Sequence, residues 1–178
     1  MMIEERLLTR NEINKIWQID RSEIIEATFS LVDRHLVLKP EHFEAKGWPP
    51  GEAEKYTPIL EDCYDHGGWF YGMIAGQNLV GVAVLDGRFI GRHKDQLQLK
   101  FLHISRNFRG KGFGKQLFKL AIAEARRRGA KSLYISATPT ENTINFYMNL
   151  GCKVTLEPDK ELLELEPEDI HLEYDLGA

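Results

Sequence analysis

Cysteine is scarce. Cys63 and Cys152 are the two in 178 residues and form no CxxC pair, which excludes a disulfide framework or a zinc knuckle and fits free thiols in a reducing compartment. Excess positive charge is missing too: 23 Lys and Arg face 27 Asp and Glu, giving a net charge of -4 and a pI near 5.9. Wholesale nucleic-acid binding through a basic surface is therefore not expected. The opening Met1-Met2-Ile3-Glu4-Glu5-Arg6 lacks an apolar secretory core, so a cytoplasmic chain is expected. Repeats, low-complexity tracts and linkers are absent. One uncharged run, Gly67 to Leu85, reaches 19 residues, near the length of a membrane span. Glycines and the turn Gly76-Gln77-Asn78 interrupt it, so the run reads as a hairpin of two apolar strands, Trp69 to Ala75 and Leu79 to Leu85, and no membrane is implied. What is present is ordinary for a folded domain: 43% hydrophobic and 28% charged residues, 15 Gly and 7 Pro. That predicts one domain over 1–178.

Along the chain, Ile3 to Leu8 reads as a strand, and Thr9-Arg10-Asn11-Glu12 has the spacing of a capping box ahead of a helix carrying Ile13, Ile16 and Trp17. A helix through Ile24 to Leu31 is expected next, then the turn Trp48-Pro49-Pro50-Gly51 and the stretch Glu52 to Tyr64. Residues 22–68 together suggest a lid or recognition segment on the acceptor side. In Gln96 to Ile104 the alternation of Leu97, Leu99 and Phe101 slips phase at Leu102 and Ile104. Either a β-bulge restores one buried face or the strand is buried on both faces. A strand at Ser132 to Ser136 follows a glycine-rich turn and a helix ending at Gly129, which makes a right-handed parallel βαβ unit. Another short helix has Thr140 as N-cap, with Ile144, Tyr147 and Met148 inward, and stops at Gly151. The chain closes with a strand alternating Ile170, Leu172, Tyr174 and Leu176 against His171, Glu173 and Asp175.

The turn is Arg109-Gly110-Lys111-Gly112-Phe113-Gly114-Lys115. Glycines at alternate positions opening a helix expose consecutive backbone N–H groups, and the helix dipole adds positive potential, so a pyrophosphate-like anion is stabilised there. Between Arg106 and Lys131 nine basic residues face one acid, Glu124. A Walker A loop is excluded, because Gly110 and Gly114 are one residue too close and Gln116 replaces the hydroxyl residue. The dinucleotide fingerprint fails as well, since the spacing is G-x-G-x-G and Ser132 to Ser136 offers no acid for a ribose.

The turn resembles the acetyl-CoA loop of the GCN5-related N-acetyltransferase (GNAT) family, Q/R-x-x-G-x-G/A, at every specified position of Arg109 to Gly114. Thr143-Ile144-Asn145-Phe146-Tyr147-Met148-Asn149-Leu150-Gly151-Cys152 resembles the family's second phrase, in the family's order and spacing. Departures are Thr140 for a frequent Asn, Thr143 for a small Ala and Cys152 for the final Phe. The resemblance implies a mixed α/β fold with a largely antiparallel sheet, one parallel pair and flanking helices. It implies an enzyme with acetyl-CoA as co-substrate, a primary amine as acceptor, direct attack in a ternary complex and no metal. Cofactor contacts would come from Leu102, His103, Ile104, Arg109, Gly110, Lys111, Gly112, Phe113, Gly114 and Lys115, with Asn142 and Asn145 from the second helix. Tyr147 would serve the leaving thiolate. A non-catalytic acyl-CoA-binding regulator on the same fold is the alternative from another class.

The attacking amine must first lose a proton, because an alkylammonium of pKa about 10.4 is almost wholly charged at neutral pH. Gln98 stands where the family often has an acid and cannot be the base. The remaining candidates are a relayed water, His103, Glu61, Asp62 and Asp65. Residues Glu157 to Asp175 carry nine acids against Lys160. This segment, with Glu52, Glu54, Glu61, Asp62 and Asp65, could attract a small cationic amine; a protein or peptide amine and a homodimer stay open.

Overall fold

The computed structural model describes residues 2–177; Met1 and Ala178 of the expected 1–178 domain lie outside the described residues. Nine strands and four α-helices form it. They are β1 Ile3–Leu7, β2 Glu23–Val32, β3 His35–Ala45, α1 Glu52–Asp65, β4 Trp69–Ala75, β5 Asn78–Ile90, β6 Gln96–Ile104, α2 Phe113–Arg127, β7 Ser132–Ala137, α3 Glu141–Asn149, β8 Lys153–Val154, α4 Lys160–Leu165 and β9 Ile170–Asp175. Seven strands make one sheet in the order β1-β4-β5-β6-β7-β9-β8, and β2 pairs with β3 alone. All neighbours in the large sheet run antiparallel except β6 and β7, the pair joined through α2 as the βαβ pattern requires.

Each face of the sheet has its own apolar layer. Leu97, Leu99, Leu133 and Ile135 pack with Leu117 and Ala121 of α2 and Ile144 of α3, whereas Val82, Val84, Phe70 and Phe101 pack with Ile16 and with Leu60 of α1. Side chains such as Leu60, Ile16 and Leu117 are fully buried, and each contributes roughly 1.5–3 kcal/mol by leaving water. Cys63 and Cys152 are buried free thiols, both pushed up to about 12 by burial. No helix among the described residues is long and apolar enough to cross a membrane; the uncharged run is the β4–β5 hairpin.

The segment Ile24 to Leu31 is a strand, not the expected helix. Its isoleucines, Thr28 and Phe29 favour extended backbone, and Asp33 and Arg34 take φ of 49° and 67°. That double left-handed turn matches the strand twist of a tight hairpin. The Phe29 N–H then donates to the Pro139 carbonyl at 2.7 Å, tying β2 to the approach to α3. The segment after Thr9 is 3₁₀ rather than α over Arg10–Gln18, with its capping box formed. There the Thr9 N–H donates to the Glu12 carboxylate at 2.9 Å, and the Arg6 guanidinium grips both Glu12 oxygens at 2.8 Å. Within the acidic stretch Glu157 to Asp175 lie α4 and β9, and Glu157, Glu161, Glu164, Glu168 and Asp175 stay exposed on them or beside them. His171, expected on the polar side of the last strand, is buried against the Tyr134 hydroxyl.

Candidate active site

The bulge in β6 is present. Val84 pairs with Phe101 and Leu85 with Leu99, which leaves Lys100 as the extra residue. Leu97 and Leu99 before it and Leu102 and Ile104 after it therefore share one apolar layer. Phe101 faces the other layer, so this strand is buried on both faces as well. Pairing with β7 stops early: Gln96, Leu97 and Gln98 match Ser132, Leu133 and Tyr134, and no residue beyond is paired. The two strands splay apart from there. The Ser105 N–H donates to the Val80 carbonyl at 2.7 Å, so by the alternation of an antiparallel ladder the His103 and Phe101 amides also point to β5. Those of Leu102 and Ile104 point into the gap, as two free donors on a strand edge.

The glycine turn borders the same gap. Gly110 and Gly112 have φ of 75° and 86°, left-handed values that a side chain resists, and a Cβ on either would meet nothing within 4 Å. Gly112 is the N-cap of α2. The first amide to bond inside the helix is that of Gln116, to the Gly112 carbonyl at 3.0 Å, which leaves the Phe113, Gly114 and Lys115 amides without intrahelical acceptors. Gly114 has a different reason to be glycine: its Cβ would sit 3.2 Å from the Phe146 ring of α3. This open row of amides at a helix N-terminus can hold a polyphosphate.

Arg109 is engaged differently from the other turn residues. Its guanidinium donates to the carbonyls of Ile104 at 2.8 Å, Ser22 at 2.8 Å and Asp20 at 2.9 Å, so its side chain ties the turn to β6 and to the entry of β2. The basic cluster also divides. Arg127 and Arg128 pair with Glu124 and Arg126 donates to the Leu176 carbonyl, all at the far end of α2. Arg106, Lys111 and Lys115 remain exposed beside the turn.

From the α2 side of the sheet, α3 brings in Tyr147. Its ring packs edge-on against Phe118 and Phe146, with centroids 6.0 and 5.1 Å away, and burial raises its pKa well above the usual phenol range. Among the described residues its hydroxyl has no hydrogen-bond partner, unlike the hydroxyls of Tyr56 and Tyr134. Asn142 and Asn145 are exposed on the same helix.

The opposite side of the splay carries rings and acids from distant segments. Trp48 lies 4.9 Å from His103, 4.9 Å from Trp17 and stacked 6.1 Å from Phe101, and Tyr56 stands edge-on to Phe101. Burial pushes His103 down to about 3, helped by the charges of Arg21 and Arg109. The ring is thus neutral and too weakly basic to hold a proton taken from an amine. The Tyr56 hydroxyl donates to Glu166, which Lys55 also meets at 3.1 Å. Arg21 reaches Glu52 at 3.3 Å and the Thr138 hydroxyl at 3.2 Å while stacking on Trp48. Ser136 of β7 donates to Asp169 at 2.9 Å. Sequence reasoning named Glu52, Glu166 and Asp169 only within acidic stretches and Trp48 and Ser136 only as parts of a turn and a strand, and it missed Arg21 and Tyr56, to which no local spacing points.

Three expected acids sit elsewhere. Glu61 and Asp65 pair with Arg10 at 3.0 and 2.8 Å, and Asp62 pairs with Arg88 at 2.7 Å; Arg88 and Arg10 hold the Asp62 and Asp65 carboxyls below their ordinary values. They lie beside Gly68 and the start of β4, whereas the turn meets the sheet at Ile104, opposite Gly81 at the other end of these strands. Neither placement nor free charge fits them for drawing a cation to the splay.

The family model for the acetyltransferase (GNAT) family matches residues 35–152. No curated protein sequence matches the chain. Solved structures do: nourseothricin acetyltransferase is 16% identical with a TM-score of 0.73, covering 99% of this chain and 100% of that one. The PaiA N-acetyltransferase of Thermoplasma acidophilum, solved with coenzyme A, is 18% identical with a TM-score of 0.62, covering 98% and 99%. An acetyltransferase of the GNAT family from Elizabethkingia anophelis, solved with acetyl-CoA, is 18% identical with a TM-score of 0.54, covering 74% and 93%.

Proposed function

The chain belongs to the acetyltransferase (GNAT) family, and from that membership we propose that it moves an acetyl group from acetyl-CoA directly to the primary amine of a small cationic acceptor in a ternary complex. The observation that carries this reading is the splay of β6 from β7, with free strand amides on one edge and the glycine turn at its mouth. The amides of Gly110 to Lys115 hold the pyrophosphate, and Lys111 and Lys115 add charge. Arg109 fixes the turn through its three carbonyl contacts. Pantetheine lies along β6, with the Leu102 and Ile104 amides as its partners and as donors to the thioester oxygen where negative charge develops; His103 contributes backbone only. Asn142 and Asn145 flank the cofactor from α3.

The unpartnered Tyr147 hydroxyl supports a role at sulfur. Burial of the ring raises the pKa of this phenol, which therefore keeps its proton in the free enzyme and can give it to the thiolate as the C–S bond breaks. On the other side, residues 22–68 act as the acceptor-side lid. Arg21 and Lys55 already lie over the Trp48 and Tyr56 rings, at 5.1 and 5.2 Å, and the carboxylates of Glu52, Glu166 and Asp169 outnumber these two cations by one. Two buried free thiols support a cytoplasmic location. Calorimetric titration with acetyl-CoA, followed by turnover on polyamines, aminoglycosides, amino acids and peptides, tests the reading. Binding with best turnover on a cationic small amine is the expected result; best turnover on a neutral or acidic amine overturns the acceptor class.

A further inference from the structure

The geometry points to Asp169 as the group that takes the proton from the acceptor amine, held in place by Ser136; this rests on the transferase reading above. Ser136 lies two residues past the last β6–β7 pair, Gln98 with Tyr134, where the strands have begun to part. Its neighbours Ile135 and Ala137 face the layer that holds Tyr147, so Ser136 and the carboxylate it donates to at 2.9 Å face the opposite side. The thioester carbon would then lie between an acid near sulfur and a base near nitrogen, each from its own face of the sheet.

Two further observations single out this carboxylate. Asp169 has no cation within ion-pair distance among the described residues, whereas Glu52 has Arg21 and Glu166 has Lys55. Next to it is a buried polar group. His171 stands opposite Ser136 in the β7–β9 ladder and is 5% exposed. Its Nδ1 meets the Tyr134 hydroxyl, and the ring lies against the Glu166 carbonyl. Its Nε2, on the side of the Glu166–Asp169 turn, is the one buried side-chain nitrogen or oxygen without a well-aligned hydrogen bond among the described residues. Buried polar atoms are rarely left so, and the Glu166 carbonyl beside the ring is the acceptor that serves this one, which ties β9 to the turn that carries Asp169.

The groups facing Asp169 are Glu166 from the turn before β9, Glu52 from α1, Arg21 from the entry to β2 and Ser136 from β7. Burial and the two carboxylates outweigh Ser136 and Arg21 and raise the Asp169 carboxyl to about 6, close to the working range of a base at neutral pH. The proton inventory closes. Asp169 takes one proton from the ammonium, and the freed nitrogen lone pair forms the bond to the acetyl carbon. The C–S electron pair leaves on sulfur, which takes the Tyr147 proton. The second proton released from nitrogen restores the phenol, and Asp169 gives its proton to solvent.

The test compares wild type and Asp169→Asn on spermidine, a lysine peptide and an aminoglycoside, with hydroxylamine as a nucleophile already neutral at the assay pH. The expected result is a fall of about 10²- to 10³-fold in kcat/KM on the best ammonium acceptor, loss of the inflection near pH 6 and unchanged acetyl-CoA affinity. Turnover on hydroxylamine should change less than about threefold, because that nucleophile needs no base. A second variant, Ser136→Ala, removes a contact that favours the charged carboxylate and should move the inflection to higher pH; it serves also if Asp169→Asn fails to fold. An inflection that survives Asp169→Asn, or one that Ser136→Ala leaves in place, overturns the assignment. If wild type binds acetyl-CoA yet acetylates none of these nucleophiles, the transferase reading fails first and this role with it.

Discussion

On the α2 side of the splay the groups proposed to bind are main-chain amides of β6 and of the turn that follows it, with one phenol from α3. On the other side they are side chains delivered by Arg21, Trp48, Glu52 and Tyr56 of α1, Ser136 and Asp169, from five stretches of chain. The contrast has a physical reason. A polyphosphate and a pantetheine chain offer repeated acceptors and donors that backbone can match without any particular side chain. A small amine presents a charge and a shape that only side chains can recognise. The first side should therefore tolerate side-chain change at most positions and fail on backbone change, and the second should behave the opposite way.

Tyr147 is the exception on the backbone side, so its loss should have the largest effect. Tyr147→Phe should lower kcat by about 10²- to 10⁴-fold, with acetyl-CoA affinity nearly unchanged by calorimetry. A near-normal kcat, where chemistry limits the rate, would make that side purely a backbone scaffold.

Gly112→Asp should weaken acetyl-CoA binding by about 100-fold, since left-handed strain and a misplaced negative charge each cost about 1–2 kcal/mol. Gly112→Ala separates the two effects and should lie between. Lys111→Ala should cost far less than Gly112→Asp. If it costs more, binding is by side-chain charge and the contrast breaks.

On the acceptor side, Asp169 should set activity against stability. Its folded carboxyl holds a proton up to about pH 6, against an ordinary value of about 3.9. The contribution of Asp169 to folding stability is therefore fully present below about pH 4 and is lost as pH rises through 6. Asp169→Asn should gain about 1–2 kcal/mol relative to wild type between pH 4 and pH 7, after discount for partial exposure. Urea melts at the two pH values check it.

The smallest effect is expected at the far end of α1. Neutralising Glu61 and Asp65 together should barely move the urea midpoint, since exposed pairs contribute little, and should leave KM for a cationic amine unchanged. Glu52→Gln should instead raise that KM and flatten its dependence on ionic strength between about 0.01 and 0.15 M. A KM that responds to Glu61 and Asp65 but not to Glu52 would move the acceptor site.

The two sides also differed in legibility. The glycine turn, the bulge at the phase slip of Phe101 and Leu102, and the N-cap Thr140 are local patterns, and each formed where the residues suggested. Residues Ile24 to Leu31 misled because Ile24, Ala27, Thr28 and Leu31 satisfy a helical spacing as well as an extended one. Arg34, an unusual residue for a left-handed turn, masked the hairpin that decides between them. The acceptor cluster had no spacing to find. Arg21 meets Thr138, and Tyr56 meets Glu166, across more than a hundred residues, and only the closed sheet brings them together. The acids of α1 were visible in sequence, but their neutralisation by Arg10 and Arg88 was not.

The two buried thiols bear on how turnover can be followed. With pKa values near 12, Cys63 and Cys152 are ionised at pH 8 to only about one part in ten thousand. They should therefore neither trap the coenzyme as a mixed disulfide nor react with aromatic disulfide dyes while the fold is intact. Free thiol appearing in a reaction mixture then belongs to the released coenzyme, and dye consumption by the protein itself becomes a gauge of its unfolding.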